Sequence, residues 1–245
     1  MKLFDLISER FVLIVSLPRN DVELARAAIE GGADALKVHL NVHHHASGTL
    51  FRTWREERDV IRRIVSQANV PVGIVPGAQT MASDEELSEI AAAGIDFWDA
   101  FVHHALPRML ERNDLGCMMA VNFQFPLERA ALVGQLGARV IEASIVPPDE
   151  YTSPLTAHDL VSYRVLAEHA APTPIVIPSQ RRYLPRDVPH LQRAGARGIV
   201  IGAVVTGHDA HSLRDATRAF RTEIDRMSLG RAVPPLDTSP RVEVA

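Results

Sequence analysis

The chain has 245 residues, 47% of them hydrophobic and 23% charged, with a formal net charge of −4. That length and apolar content suit one large core, and the weakly acidic balance gives no pull toward nucleic acid or an anionic membrane surface. No apolar run nears the ~18 residues of a membrane span, MKLFDLISER is not patterned as a signal peptide, and a single cysteine, Cys117, excludes an intrachain disulfide, so a cytoplasmic protein is expected.

The first ten residues read as a short amphipathic helix suited to closing one end of a barrel. FVLIVSL (Phe11–Leu17) is a first strand, too apolar to face water on either side, as in a parallel sheet covered by helices. Asn20 with Glu23 forms a helix-start signature, and the helix runs to Gly31-Gly32.

The second strand is Ala35–Asn41, ALKVHLN. Leu36, Val38 and Leu40 share one face, while Lys37, His39 and Asn41 share the other. The apolar face must meet helices, so the polar face looks into the barrel near its C-terminal mouth. The chain has 26 basic residues, of which only Lys2 and Lys37 are lysine. Arginine holds its proton at neutral pH, whereas a desolvated lysine can release it. The segment VHHHASGTLFRT that follows is long for a strand-to-helix loop and reads as an active-site lid. Its three histidines lack the cysteine or carboxylate spacing of a metal site, so neither metal nor cofactor is expected.

Helix signatures at Thr53/Glu56 and Ser83/Glu86 alternate with strands at Val70–Val75, Ile95–Phe101, Cys117–Asn122 and Arg139–Ile145. Gln79 lies on the loop after the third of these eight strands. Cys117 reads as core. Two further apolar runs, Ile175–Ile177 and Gly198–Ile201, complete eight strands, and a last helix covers about 210–227. Glycines recur at the helix-to-strand joints, Gly32, Gly94, Gly137 and Gly195. An open doubly wound sheet would have fewer strands. The expected fold is therefore an α/β, single-domain (β/α)8 TIM barrel over 1–228, with a C-terminal tail over 229–245 that is disordered or packs on a partner.

In such a barrel, polar residues at strand C-termini are candidate site residues. The filter leaves Lys37, His39, Asn41, Asp99, Asn122, Glu142 and Ser144, with Gln180, Arg181 and Arg182 on the turn after the seventh strand. Lys37, Asp99 and Glu142 form the candidate catalytic set. A lysine–carboxylate group suits proton abstraction beside a carbonyl, or Schiff-base chemistry at the lysine. His39, Asn41, Asn122, Ser144 and Gln180 are candidate substrate contacts. Gly202-Ala203 closes the eighth strand where such barrels bind phosphate, and one of Arg181 and Arg182 is expected to clamp the anion. The expected partner is a small phosphorylated metabolite, with a homodimer as the commonest oligomer for such barrels.

The second half, about Arg139–Gly207, resembles the N-acetylmannosamine-6-phosphate 2-epimerase family, within the ribulose-phosphate-binding barrel group. The likeness rests on Tyr151-Thr152-Ser153-Pro154, the Gln180–Tyr183 turn and AGARGIVIGAVVTG. It implies that Arg182, Gly202 and Ala203 surround a sugar phosphate; the preferred activity, isomerase or epimerase chemistry, rests on Lys37 with Asp99 or Glu142. Lys37 stands where that family has an arginine, and Asp99 resembles a family aspartate. The family's catalytic lysine and glutamate are not matched: Pro76 and the segment Pro178-Ser179-Gln180 stand near their places. A lyase or aldolase acting through Lys37, and a barrel that binds a phosphometabolite without turnover, are the alternatives.

Overall fold

The computed structural model describes residues 2–229. In chain order these form α1 (Lys2–Glu9), β1 (Val12–Ser16), α2 (Val22–Glu30), β2 (Ala35–His39), β3 (Val42–His44), β4 (Thr49–Phe51), α3 (Trp54–Gln67), β5 (Val72–Val75), α4 (Asp84–Ala92) and β6 (Phe97–Phe101). Then come α5 (Pro107–Leu110), β7 (Gly116–Asn122), α6 (Ala130–Gln135), β8 (Val140–Ser144), α7 (Ala157–Ala170), β9 (Ile175–Pro178), α8 (Val188–Arg193), β10 (Ala196–Ile201), α9 (Ala203–Thr206) and α10 (Ala210–Leu229). Eight strands close into a barrel in the order β1-β2-β5-β6-β7-β8-β9-β10, each parallel to its neighbours. The fold is the expected (β/α)8 barrel. The proposed tail beyond α10 lies outside the described residues.

Alternation along each strand divides the side chains between two cores. Outward residues such as Leu13, Leu36, Trp98 and Ile141 pack under the helices. Inward residues (Val12, Ile14, Ala35, Phe97, Met118, Val140, Val176, Val200) fill the barrel interior with Leu3, Phe4 and Ile7 of α1. Asp96 holds this plug by accepting from the Lys2 and Leu3 N–H groups at 2.9 and 3.0 Å. The floor is tightly fitted: a Cβ on Gly73 would stand 2.1 Å from the Phe97 ring. The four joint glycines all have positive φ, 92° to 112°, the left-handed turn anticipated for them.

Three local expectations change. The long segment after β2 is an antiparallel hairpin, β3–β4, turning at Gly48 with φ 65°. The cap of α2 is Asp21, whose carboxylate accepts from the Glu23 and Leu24 N–H groups. Asn20 is diverted to β2, where its amide bonds both His39 O (2.8 Å) and His39 N (3.1 Å). Finally, β2 ends at His39, because Asn41 turns into left-handed backbone with φ 51°.

Candidate active site

Above the apolar floor, the next inward layer is polar. Lys37 on β2 lies beside Ser16 of β1 in register, with Asp99 on β6 and Glu142 on β8 reaching toward it across the barrel. Lys37 Nζ donates to Asp99 Oδ2 at 2.7 Å and also to Glu142 Oε2. Glu142 Oε1 accepts from the Ser144 hydroxyl at 3.0 Å. Asp99 Oδ1 has no hydrogen-bond partner among the described residues. All three charged side chains are under 10% exposed.

Burial opposes charge on Lys37, but its two carboxylate neighbours outweigh burial and hold its pKa above the ordinary lysine value. Burial and the nearby Glu142 charge push Asp99 up to about 7, against the pull of Lys37. Burial acts on Glu142 in the same upward sense. There the Lys37 charge and the hydrogen bonds it receives prevail, and its pKa falls below the usual glutamate range. At neutral pH the set thus holds an ammonium, an ionised glutamate and an aspartate near its midpoint.

These groups open into a cavity of about 240 Å3, below the roughly 300–1,000 Å3 usual for ligand pockets. One wall is the hairpin. His44 and Phe51 flank the His39 ring at centroid distances of 4.7 Å each, and His39 Nε2 lies 3.3 Å from Ser16 Oγ. Burial and the positive charge of Lys37 keep both rings neutral: His39 titrates well below the ordinary value and His44 at about 4. Among the described residues, no three His, Cys, Asp or Glu side chains gather as a metal-ligand set. The cavity is also lined by Ser179, Gln180, Gly202 and Tyr151, whose ring meets the His45 ring of the hairpin at 5.1 Å. Gly202 donates its N–H to Ser179 Oγ at 2.9 Å, and a Cβ added to Gly202 would meet only Ser16, at 3.5 Å.

Of the residues singled out in the sequence, Lys37, His39, Asp99, Glu142, Ser144, Gln180 and Gly202 line this cavity. Asn41, Asn122, Arg182 and Ala203 do not. Asn41 leaves the strand and donates to Pro76 O at 3.2 Å. Asn122 ends β7 half-buried outside the cavity, and Ala203 is buried as the first residue of α9. Gln79 is exposed. Neither arginine faces the cavity. Arg182 is exposed, and Arg181 is buried in ion pairs with Glu150 and Asp159. Past Gln180 the turn carries Arg181 toward α7, where those ion pairs hold it. The strand-end filter passed over Ser16, the one polar residue of the first strand, and Ser179; both line the cavity.

No family model matches the sequence, and no curated protein does. Solved structures match the fold over nearly the whole chain. A 3-hexulose-6-phosphate synthase is 18% identical, covering 87% of this chain and 100% of its own with a TM-score of 0.64. Tryptophan synthase of Mycobacterium tuberculosis is 16% identical over 91% and 96%, with a TM-score of 0.66. Phosphoribosyl anthranilate isomerase from Thermus thermophilus is 13% identical over 89% and 100%, with a TM-score of 0.63. At such identities the likeness establishes the TIM-barrel fold. No helix among the described residues is long and apolar enough to cross a membrane.

Proposed function

We propose that this barrel is an enzyme that moves a proton on a small phosphorylated, sugar-derived metabolite, with isomerase or epimerase chemistry. The observation that carries the reading is the split between two carboxylates on one ammonium: Asp99 raised to about 7 and Glu142 lowered. When environments drive a pair of carboxyl groups apart, they separate into acid and base. Glu142, ionised, is the base that takes a C–H proton beside a carbonyl. Asp99, with Oδ1 unbonded, is the acid that returns one. Lys37 remains charged and stabilises the enolate-type oxygen between them.

A Schiff base at Lys37 is disfavoured, because it requires a free neutral amine and this one is held charged by two carboxylates. The phosphate half of the reading is supported by the small cavity and by the space left by the missing side chain at Gly202, flanked by the Ser16 and Ser179 hydroxyls. It also draws on neighbours whose names specify phosphorylated compounds. The resemblance to the epimerase family points the same way. No arginine among the described residues lines the cavity, so hydroxyls would carry the anion.

The test is solvent exchange. A panel of sugar phosphates and their unphosphorylated forms is incubated with the protein in D2O, and loss of C–H signal is followed by NMR. Exchange with a phosphorylated member, abolished by Glu142→Gln, is expected, with no adduct on borohydride treatment. A Lys37 adduct would instead support the lyase. Thermal stabilisation by phosphosugars without exchange would support a binding barrel.

A further inference from the structure

The loop between β8 and α7 is sewn to the turn after β9. Thr152 N–H donates to Gln180 O at 3.0 Å, Arg182 N–H donates to Ser153 O at 2.9 Å, and Pro154 pairs with Arg182. Side chains along this seam take opposite directions. Arg181 points away from the cavity into a crevice against α7. There its Nε and Nη2 donate to Asp159 Oδ1 at 3.1 and 2.9 Å, and Nη1 donates to Glu150 O at 3.1 Å. It also bonds the Ser153 hydroxyl and the Glu150 carboxylate.

Gln180 points into the cavity. Its Oε1 accepts from Val146 N–H at 3.1 Å, which fixes the amide so that Nε2 donates to the Tyr151 hydroxyl. A phenol carries one proton. With its oxygen accepting from Gln180, that proton has no acceptor among the described residues, and Tyr151 lines the cavity.

We propose that Arg181 is a positioning residue that locks this loop so that Tyr151 faces the cavity with its O–H free for an oxygen of the bound substrate. The substrate clause rests on the proton-transfer reading; the placement does not. A phenol aimed there would add a second donor, beside Lys37, for the oxygen that gains charge when Glu142 takes a proton. Lysine cannot replace Arg181, because the loop is held by a planar fork of several donors and not by charge alone.

The test uses protein labelled with 3-fluorotyrosine. Three tyrosines give three 19F resonances, and Tyr151→Phe assigns one. Glu142, Gln180 and the His45 ring face Tyr151 and stay in place in the wild-type titration. Gln180→Leu should raise the Tyr151 midpoint, since the phenolate loses a donor. Arg181→Leu should shift and broaden the Tyr151 resonance while Trp54 and Trp98 fluorescence reports an unchanged barrel. Arg181→Lys, which keeps a cation opposite Asp159, should move the same resonance the same way by less. A lower midpoint in Gln180→Leu would mean that Tyr151 spends its proton on Gln180. A Tyr151 resonance unmoved by both Arg181 variants would mean that the loop needs no latch. Either result overturns the proposal. No ligand enters the measurement, so a blank in the D2O screen counts against the proton-transfer reading alone.

Discussion

Asp99 and Glu142 bond the same ammonium and are equally sunk in the barrel, yet their pKa values move in opposite directions. Glu142 has a partner for each oxygen, Lys37 and Ser144, whereas Asp99 has Lys37 alone. Burial raises both; the Lys37 charge and hydrogen bonds outweigh it at Glu142, and the Glu142 charge then adds to burial at Asp99, so one carboxylate keeps its charge and the other titrates near neutrality. The asymmetry predicts a pH profile. Exchange in D2O needs Asp99 protonated and Glu142 ionised, so the rate should fall as pH rises through about 7, with the acid limb lying below the ordinary glutamate range. Asp99→Asn should lower the rate by about 10²–10⁴ and remove the alkaline limb, as measured by NMR across pH 4–9.

Lys37 is also a stability element. Removing one partner of a buried ionic cluster costs about 3–5 kcal/mol, since the remaining charges lose their compensation. In Lys37→Met both carboxylates acquire folded pKa values above their unfolded ones. The folded state then binds more protons than the unfolded chain, and stability must decline as pH rises. Urea unfolding of Lys37→Met should therefore show most of the loss at pH 8 and markedly less at pH 5. Equal loss at both would show that the carboxylates stay paired without the lysine.

Much of this was legible in the sequence because period-two alternation carries both the fold and the cavity. ALKVH states which side of β2 meets helices, and the same count puts Asp99 and Glu142 inside. What escaped depends on the backbone leaving that period. Asn41 falls one turn too late, in left-handed backbone. Arg181 and Arg182 sit on a turn where direction is set by bonds to Glu150, Ser153 and Asp159, residues 22 to 31 positions before Arg181. Such long-range pairing has no local sequence signal.

Two glycines that look alike in the sequence should respond differently to a methyl group. Gly73→Ala drives a Cβ into the Phe97 ring on the crowded floor, and overpacking of this kind costs about 1–3 kcal/mol. Gly202 has φ −143°, open to any residue, and its added Cβ would make ordinary contact with Ser16. Gly202→Ala should leave unfolding within about 0.5 kcal/mol of the parent while weakening any phosphosugar that stabilises the protein in thermal shift. Undiminished stabilisation in Gly202→Ala would remove the anion from this end of the cavity.

Asn20 and Asp21 divide the work between cavity and helix. Asp21→Ala removes a helix cap and should cost about 0.5–2 kcal/mol with the cavity unchanged. Asn20→Ala strips the partners from both backbone groups of His39, a penalty of about 1–3 kcal/mol for groups left unsatisfied. It should also shift the His39 ring signals, which Asp21→Ala should leave in place. Paired urea melts and histidine NMR of the two variants separate these roles.

One hairpin histidine, His44, weakens the fold in acid. His44 has a folded pKa of about 4, below its ordinary 6.5, because burial and the Lys37 charge oppose a second cation there. The unfolded chain therefore binds a proton that the folded chain refuses, and stability falls as pH drops below about 6.5 toward 4. Each unit of separation is worth about 1.4 kcal/mol. Replacing the ring by an amide that can still meet the Ser47 hydroxyl, His44→Gln, should flatten the slope of stability between pH 4 and 6.5. In the parent protein, the His39 and His44 resonances should stay neutral through pH 5. A His44 ring that protonates near 6.5 would mean that the hairpin opens and that the cavity is not closed on this side.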